Sequence, residues 1–198
     1  MVSDDEMYDS LSRTAANRKR LDELILRYVR VASLRLGLET PEIADLLSVS
    51  RASARSLVLK ARDSATEADR RPPKDRDAGT ARVREELPAL AASRQQAEEL
   101  VQRLARVCVL RRGMSANELA RRTGHSRDFT QKWVKQMKAE PPVQTIIAEE
   151  VPASGWRTPV WEEGTPVDPK YIITAEQART GAREPVLTDV GAPDHDWF

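Results

Sequence analysis

Apolar residues recur at three- and four-residue steps in two stretches of the chain. Leu21, Leu24, Ile25, Tyr28, Val31 and Leu34 form one stripe; Ala97, Leu100, Val101, Leu104, Val107 and Cys108 form the other. That period puts each set on one face of an amphipathic helix. Gly37 and Gly113 close the stripes, as residues able to take positive φ commonly do. Ser93 with Gln96 makes a capping-box pattern at the start of the second stripe. A next helix is signalled by Thr40-Pro41, an N-cap followed by Pro, and in the second stretch by the box Ser115 with Glu118. Short breaks at Ser48–Val49 and Gly124–His125 then precede Ser50 and Ser126, each placed to cap a third helix. The inner side of that helix carries Ala54, Leu57 and Val58 in one case, Thr130, Trp133 and Val134 in the other. The pattern predicts two trihelical units, residues 16–62 and 92–138.

Elsewhere the periodicity changes. Val143–Val151 alternates weakly, and Trp156–Trp161 and Tyr171–Thr174 are rich in β-formers, with turn signals at Pro152–Gly155 and Glu163-Gly164. The expected fold is mainly α, with two duplicated trihelical units and a C-terminal extension, 139–198, of short β-strands arranged as a wing. A short helix from Thr174, boxed by Gln177, and a disordered end complete that extension. Residues 1–15 read as an acidic tail, and 63–91, with Arg71-Pro72-Pro73, as a charged linker. A flexible linker of that length spans ~30 Å, close to one ~34 Å turn of DNA. Alternatively, 82–91 extends the next helix until Pro88 interrupts it, giving a stiffer connection.

The two units are copies. Offsetting the chain by 76 residues aligns 16–62 with 92–138 without a gap and matches fifteen of 47 positions. About four matches are expected from composition alone. Gly37, Ala44 and Ser50-Arg51 fall at the same spacing as Gly113, Ala120 and Ser126-Arg127.

The copies also carry the charge. The chain holds 32 bases and 31 acids, which conceals a segregation. Residues 16–62 hold ten bases against five acids, and 92–138 hold eleven against four. Residues 1–15 hold one against four, 63–91 six against seven, and 139–198 four against eleven. Two basic blocks flanked by acidic or neutral segments are the electrostatic footprint of a polyanion-binding protein.

The stretches GLETPEIADLLSVSRASARSLVLKAR (37–62) and GMSANELARRTGHSRDFTQKWVKQMK (113–138) resemble helix-turn-helix units. They are most similar to those of sigma-factor fourth regions and of phage and bacterial regulators. Small residues at Ala44 and Ala120 let the third helix cross close over the second. Gly124 suits the turn; Ser48, His125 and Thr130 depart from the pattern, and His125 is expected to distort its turn or alter the packing. The resemblance implies that the third helix enters the major groove of double-stranded DNA. Base-reading candidates are then Ser50, Arg51, Ala52, Arg55 and Ser56 in one copy. In the other they are Ser126, Arg127, Asp128, Gln131, Lys132 and Lys135. Arg51 and Arg127 are placed for a guanine edge or a phosphate, Gln131 for adenine, and Ser50 and Ser126 for capping or phosphate. Arg27, Arg30, Arg35, Arg103, Arg106, Arg111 and Arg112 are phosphate-contact candidates. Because the reading faces differ, the two units are expected to read different half-sites of an asymmetric operator.

Other chemistry is sparse. No apolar run approaches the ~18 residues of a membrane helix, and the acidic start MVSDDEMYDS lacks an apolar signal region. One cysteine and two histidines exclude an intramolecular disulfide and a four-ligand Cys/His zinc site. No phosphate-cradling loop, metal motif or nucleophile elbow is present, and Cys108 lies on an apolar stripe. No catalytic residue, metal or cofactor is expected, and the protein is expected in the cytoplasm. The expected function is sequence-specific transcriptional regulation of the phage or plasmid repressor type. Rivals are a DNA-binding assembly factor (a terminase small subunit, or a segregation or excision accessory protein), a sigma-like module, and a trihelical protein-interaction module. The acidic extension is expected to contact RNA polymerase or another protein rather than DNA.

Overall fold

A computed structural model describes residues 3–71 and 73–139, together with 146–147 and 172–173. The described chain is mainly helical. Six α-helices follow one another: α1 (Asp4–Arg30), α2 (Thr40–Leu47), α3 (Arg51–Asp63), α4 (Arg76–Leu110), α5 (Ala116–Thr123) and α6 (Arg127–Ala139). A π-helical segment, Val31–Arg35, continues α1, and a 3-10 turn, Ala68–Arg70, precedes α4. Beyond α6, Ile146–Ile147 (β1) pairs in parallel with Ile172–Ile173 (β2). The expected wing otherwise, the helix from Thr174 and the disordered end lie outside the described residues. No described helix is long and apolar enough to cross a membrane.

Residues 1–15 were expected as a tail, yet α1 begins at Asp4. Ser3 and Glu6 make a reciprocal capping box: the Glu6 amide donates to Ser3 Oγ at 3.2 Å, and the Ser3 amide to the Glu6 carboxylate at 2.8 Å. Asp4, Asp5 and Glu6 in the first turn suit the positive end of the helix dipole. Met7, Leu11 and Ala15 then repeat every four residues and are buried. The acidic cluster is a helix start.

The linker reading is corrected as well. Residues 76–91 belong to α4, which runs unbroken through Pro88, so Ser93 and Gln96 lie inside a helix and cap nothing. Pro88 removes only the bond to the Arg84 carbonyl, on an exposed residue. The helix is started by Asp75, whose carboxylate accepts from the Ala78 amide at 2.9 Å. Of what remains, residues 64–71 are pinned rather than tethered. Arg30 donates to Ser64 Oγ at 2.8 Å and lies 3.6 Å from Asp69, and Arg35 Nε donates to the Arg71 carbonyl at 2.8 Å.

The described chain forms two compact units, each taking one stretch of α1 and one of α4. Unit 1 has α1 as far as Arg18, α4 from Gln96, and α5 and α6. Its two long stretches run antiparallel, for Tyr8 Oη donates to the Arg112 carbonyl at 3.3 Å while Arg18 reaches Glu98 at 3.2 Å. Its core joins Met7, Leu11, Leu100, Leu104, Cys108, Leu119 and Met137. Unit 2 is Lys19–Gln95. Here too the stretches are antiparallel: Asp22 meets Arg94 at 3.0 Å, Tyr28 donates to the Glu86 carboxylate, and Arg76 donates twice to the Leu36 carbonyl. Leu21, Ile25, Val29, Ile43, Val58, Leu87 and Leu90 are buried there.

The 76-residue offset recurs in the backbone. The Leu38 amide donates to Ala32 O and the Met114 amide to Cys108 O, both at 2.9 Å, closing the helix ends where Gly37 and Gly113 take φ of 70° and 68°. α2 matches α5 and α3 matches α6 residue for residue, with eight and thirteen residues each. The equivalence also reaches beyond the aligned blocks, since Met7, Leu11 and Thr14 are buried as Val83, Leu87 and Leu90 are. Within 4–15 and 80–91 only the pairs Leu11/Leu87 and Ala15/Ala91 are identical.

Candidate nucleic-acid interface

In unit 2, α2 and α3 meet through a turn whose hinge is Ser48 in the left-handed region (φ 53°, ψ 40°), the one such non-glycine among the described residues. α2 starts at Thr40 with Glu39 as its N-cap, one residue before the expected Thr40 cap, and Glu39 makes no side-chain cap bond. Ser50 caps α3, its Oγ accepting from the Ser53 amide at 3.1 Å. Ile43, Ala44 and Leu47 of α2 and Ala54, Val58 and Ala61 of α3 are buried. The opposite side of α3 is thereby turned to solvent: Ser50, Arg51, Ala52, Arg55 and Ser56 are all exposed, as is Lys60.

Unit 1 repeats the arrangement. Ser115 Oγ accepts from the Glu118 amide at 3.2 Å, Gly124 is left-handed (φ 71°), and Ser126 Oγ accepts from the Phe129 amide at 3.3 Å. Thr130 fits the interior because its hydroxyl donates back to the Ser126 and Arg127 carbonyls at 3.2 and 3.0 Å. Ser126, Arg127, Asp128, Gln131, Lys132 and Lys135 are exposed. Among the described residues, Arg51, Arg55, Arg127, Lys132 and Lys135 have no side-chain hydrogen bond or ion pair. A cation without an internal partner gives up nothing within the fold to meet an anion.

The phosphate candidates are different. Arg30 and Arg35 hold the 64–71 loop, Arg103 pairs with Glu99 at 3.5 Å, and Arg112 with Asp4 at 2.8 Å. Arg27, Arg106 and Arg111 are not free either. Spacing alone could not separate these roles, because an arginine beside an apolar stripe suits a solvent-facing or an inward-bridging position equally. The structure gives Arg30, Arg35, Arg103 and Arg112 partners inside the fold.

His125 leaves the turn undistorted. Its ring lies 4.6 Å from Phe129 and 6.0 Å from Trp133, and Phe129 and Trp133 are 5.7 Å apart. Arg18 Nη1 lies 2.9 Å from His125 Nε2, and Arg18 Nη2 donates to the Thr123 carbonyl at 3.4 Å. A guanidinium only donates, so Nε2 accepts and the neutral ring carries its proton on Nδ1. Burial, then the Arg18 charge, lowers the His125 pKa, with Glu98 partly opposing. Arg121 and Arg122 both donate to Glu118 and hold its carboxyl down at about 2. The sequence reading gave Phe129 and Trp133 as a source of apolar area but did not join them to His125; the four-residue spacing puts Phe129 and Trp133 on one face of α6, and His125 precedes that helix. Burial pushes the Cys108 thiol up to about 12. Among the described residues no group of three or more His, Cys, Asp or Glu could hold a metal ion. Comparisons with protein-family models, curated proteins and solved structures found no match.

Proposed function

We propose that the chain is a non-enzymatic, sequence-specific binder of double-stranded DNA acting in transcriptional regulation. Its α2–α3 and α5–α6 pairs serve as tandem helix-turn-helix units, and α3 and α6 are the reading helices. The observation that carries this is the division among the cations. Arg51, Arg55, Arg127, Lys132 and Lys135 stand exposed on the outer faces of α3 and α6. Arg30, Arg35, Arg103 and Arg112 are engaged within the fold. Side chains from the N-terminal part of a third helix are those that reach base edges in such units. The two faces differ, Arg/Ser/Ala against Arg/Asp/Gln/Lys, which favours two unlike half-sites. Residues 139–198, with eleven acids against four bases, favour a protein partner over DNA.

Selection of bound duplexes from a random pool tests this reading. The expected product is an asymmetric site in two parts, bound with steep salt dependence as counterions are released. No enrichment over the starting pool at low salt refutes it.

A further inference from the structure

Unit 2 contains a groove of about 690 Å³ between α1, α3, α4 and the Ser48 turn. Ile25, Leu57 and Pro88 give it apolar walls, and two cations, Lys60 and Arg94, line it with one acid, Asp22, which meets Arg94 at 3.0 Å. Such a volume is of the size that takes a ligand or a few anchoring side chains. The repeat shows what chemistry belongs there. Val49, Ser53 and Leu57 line the groove, and 76 residues on stand His125, Phe129 and Trp133, the three rings of unit 1. Arg94 likewise answers to Arg18, the guanidinium against His125. Unit 2 keeps the cation and lacks the rings.

We propose that this groove takes an acidic, aromatic segment, and that the segment is Asp194–Phe198 of this chain. Trp197 and Phe198 supply the rings that the groove lacks, while Asp194 and Asp196 complement Lys60 and add a second acid to the solvent-exposed Arg94–Asp22 pair. Residues 184–198 hold no Lys or Arg, and His195 is the one basic side chain among them. Fifty-four residues separate Ala139 from Asp194, ample reach at ~3.3 Å per extended residue.

The test titrates a fluorescein-labelled peptide of residues 188–198 into the full chain carrying Trp197→Ala and Phe198→Ala, followed by anisotropy. Saturable binding is expected. It should weaken at least tenfold when Leu57→Trp or Ser53→Phe is added, each building into unit 2 a ring that unit 1 has. The native chain, whose own segment competes, should bind the peptide at least threefold more weakly than the double-alanine chain. Absence of binding overturns the proposal, as does binding that both ring substitutions leave intact or that a peptide without its two rings reproduces. If neither ring variant melts cooperatively, a peptide with benzoylphenylalanine at position 197 decides. Photo-crosslinks to Ile25, Leu57 or Pro88 support the site, and crosslinks confined to other residues overturn it.

Discussion

Arg18 reaches Glu98 at 3.2 Å, and adding 76 to the first number while subtracting it from the second gives Arg94 and Asp22, which meet at 3.0 Å. The duplicated sequence thus makes one ion pair twice, each long helix lending an arginine to an acid of the other. The copies differ in burial. The Arg18 and Glu98 side chains are 11% and 23% exposed, against 39% and 50% for Arg94 and Asp22.

That difference sets a first prediction. Arg18→Ala leaves Glu98 and the Thr123 carbonyl short of a donor in a part-buried place and should cost about 2 kcal/mol. Arg94→Ala removes a solvent-screened pair and should cost about 0–1 kcal/mol. Urea unfolding of the two variants side by side checks the order. Equal losses would mean that the Arg18 site is no drier than its copy.

The turns make a second. Ser48 and Gly124 hold equivalent left-handed positions, with φ of 53° and 71°. Ser48→Gly should raise stability by about 0.5–1 kcal/mol by relieving the contact of Cβ with the following carbonyl. Gly124→Ala should cost about 1 kcal/mol from the backbone alone, because an added Cβ meets nothing within 4 Å. Thermal melts read both signs.

The third concerns pH. The fold lowers the His125 pKa from 6.5, so the folded chain resists a proton that the unfolded chain accepts. This contribution to stability is complete above about pH 6.5 and is lost as the pH falls through the folded value. The native chain should therefore lose more unfolding free energy than His125→Phe between about pH 7.5 and about pH 5.5. Glu118 acts lower, its contribution present above its ordinary 4.5 and lost as the pH falls toward about 2. Identical losses in the native and His125→Phe chains would remove His125 from the pH response.

The repeat, the helix-ending glycines and the Ser50, Ser115 and Ser126 caps were legible because each rests on a local rule of spacing or capping. The start of α1 was also written locally, in Ser3 and Glu6, but four acids in the first nine residues masked it as a tail. The passage of α4 through Pro88 was not local. It depends on Val83, Leu87 and Leu90 being buried, and tertiary burial outweighs the lost bond that made proline look like a stop. The partition of arginines was equally hidden, since Arg30 finds Ser64 and Asp69 only after α3 has turned the chain back.

A fourth prediction follows from that partition. Arg30→Ala should lower thermal stability, by loosening the 64–71 loop, and leave the salt slope of DNA binding unchanged. Arg55→Ala should do the reverse, keeping the melting temperature and reducing the slope by about one contact if it meets a phosphate. Differential scanning calorimetry together with binding at several salt concentrations separates the two.

The most direct measurement is the affinity of the full chain for its selected duplex, by anisotropy, with Arg51→Ala and Arg127→Ala made singly. Each should cost about 1–3 kcal/mol of binding and relax sequence preference at a different part of the site, with unfolding unchanged. Native affinity in both variants, or a duplex affinity that salt does not alter, would contradict DNA reading by α3 and α6.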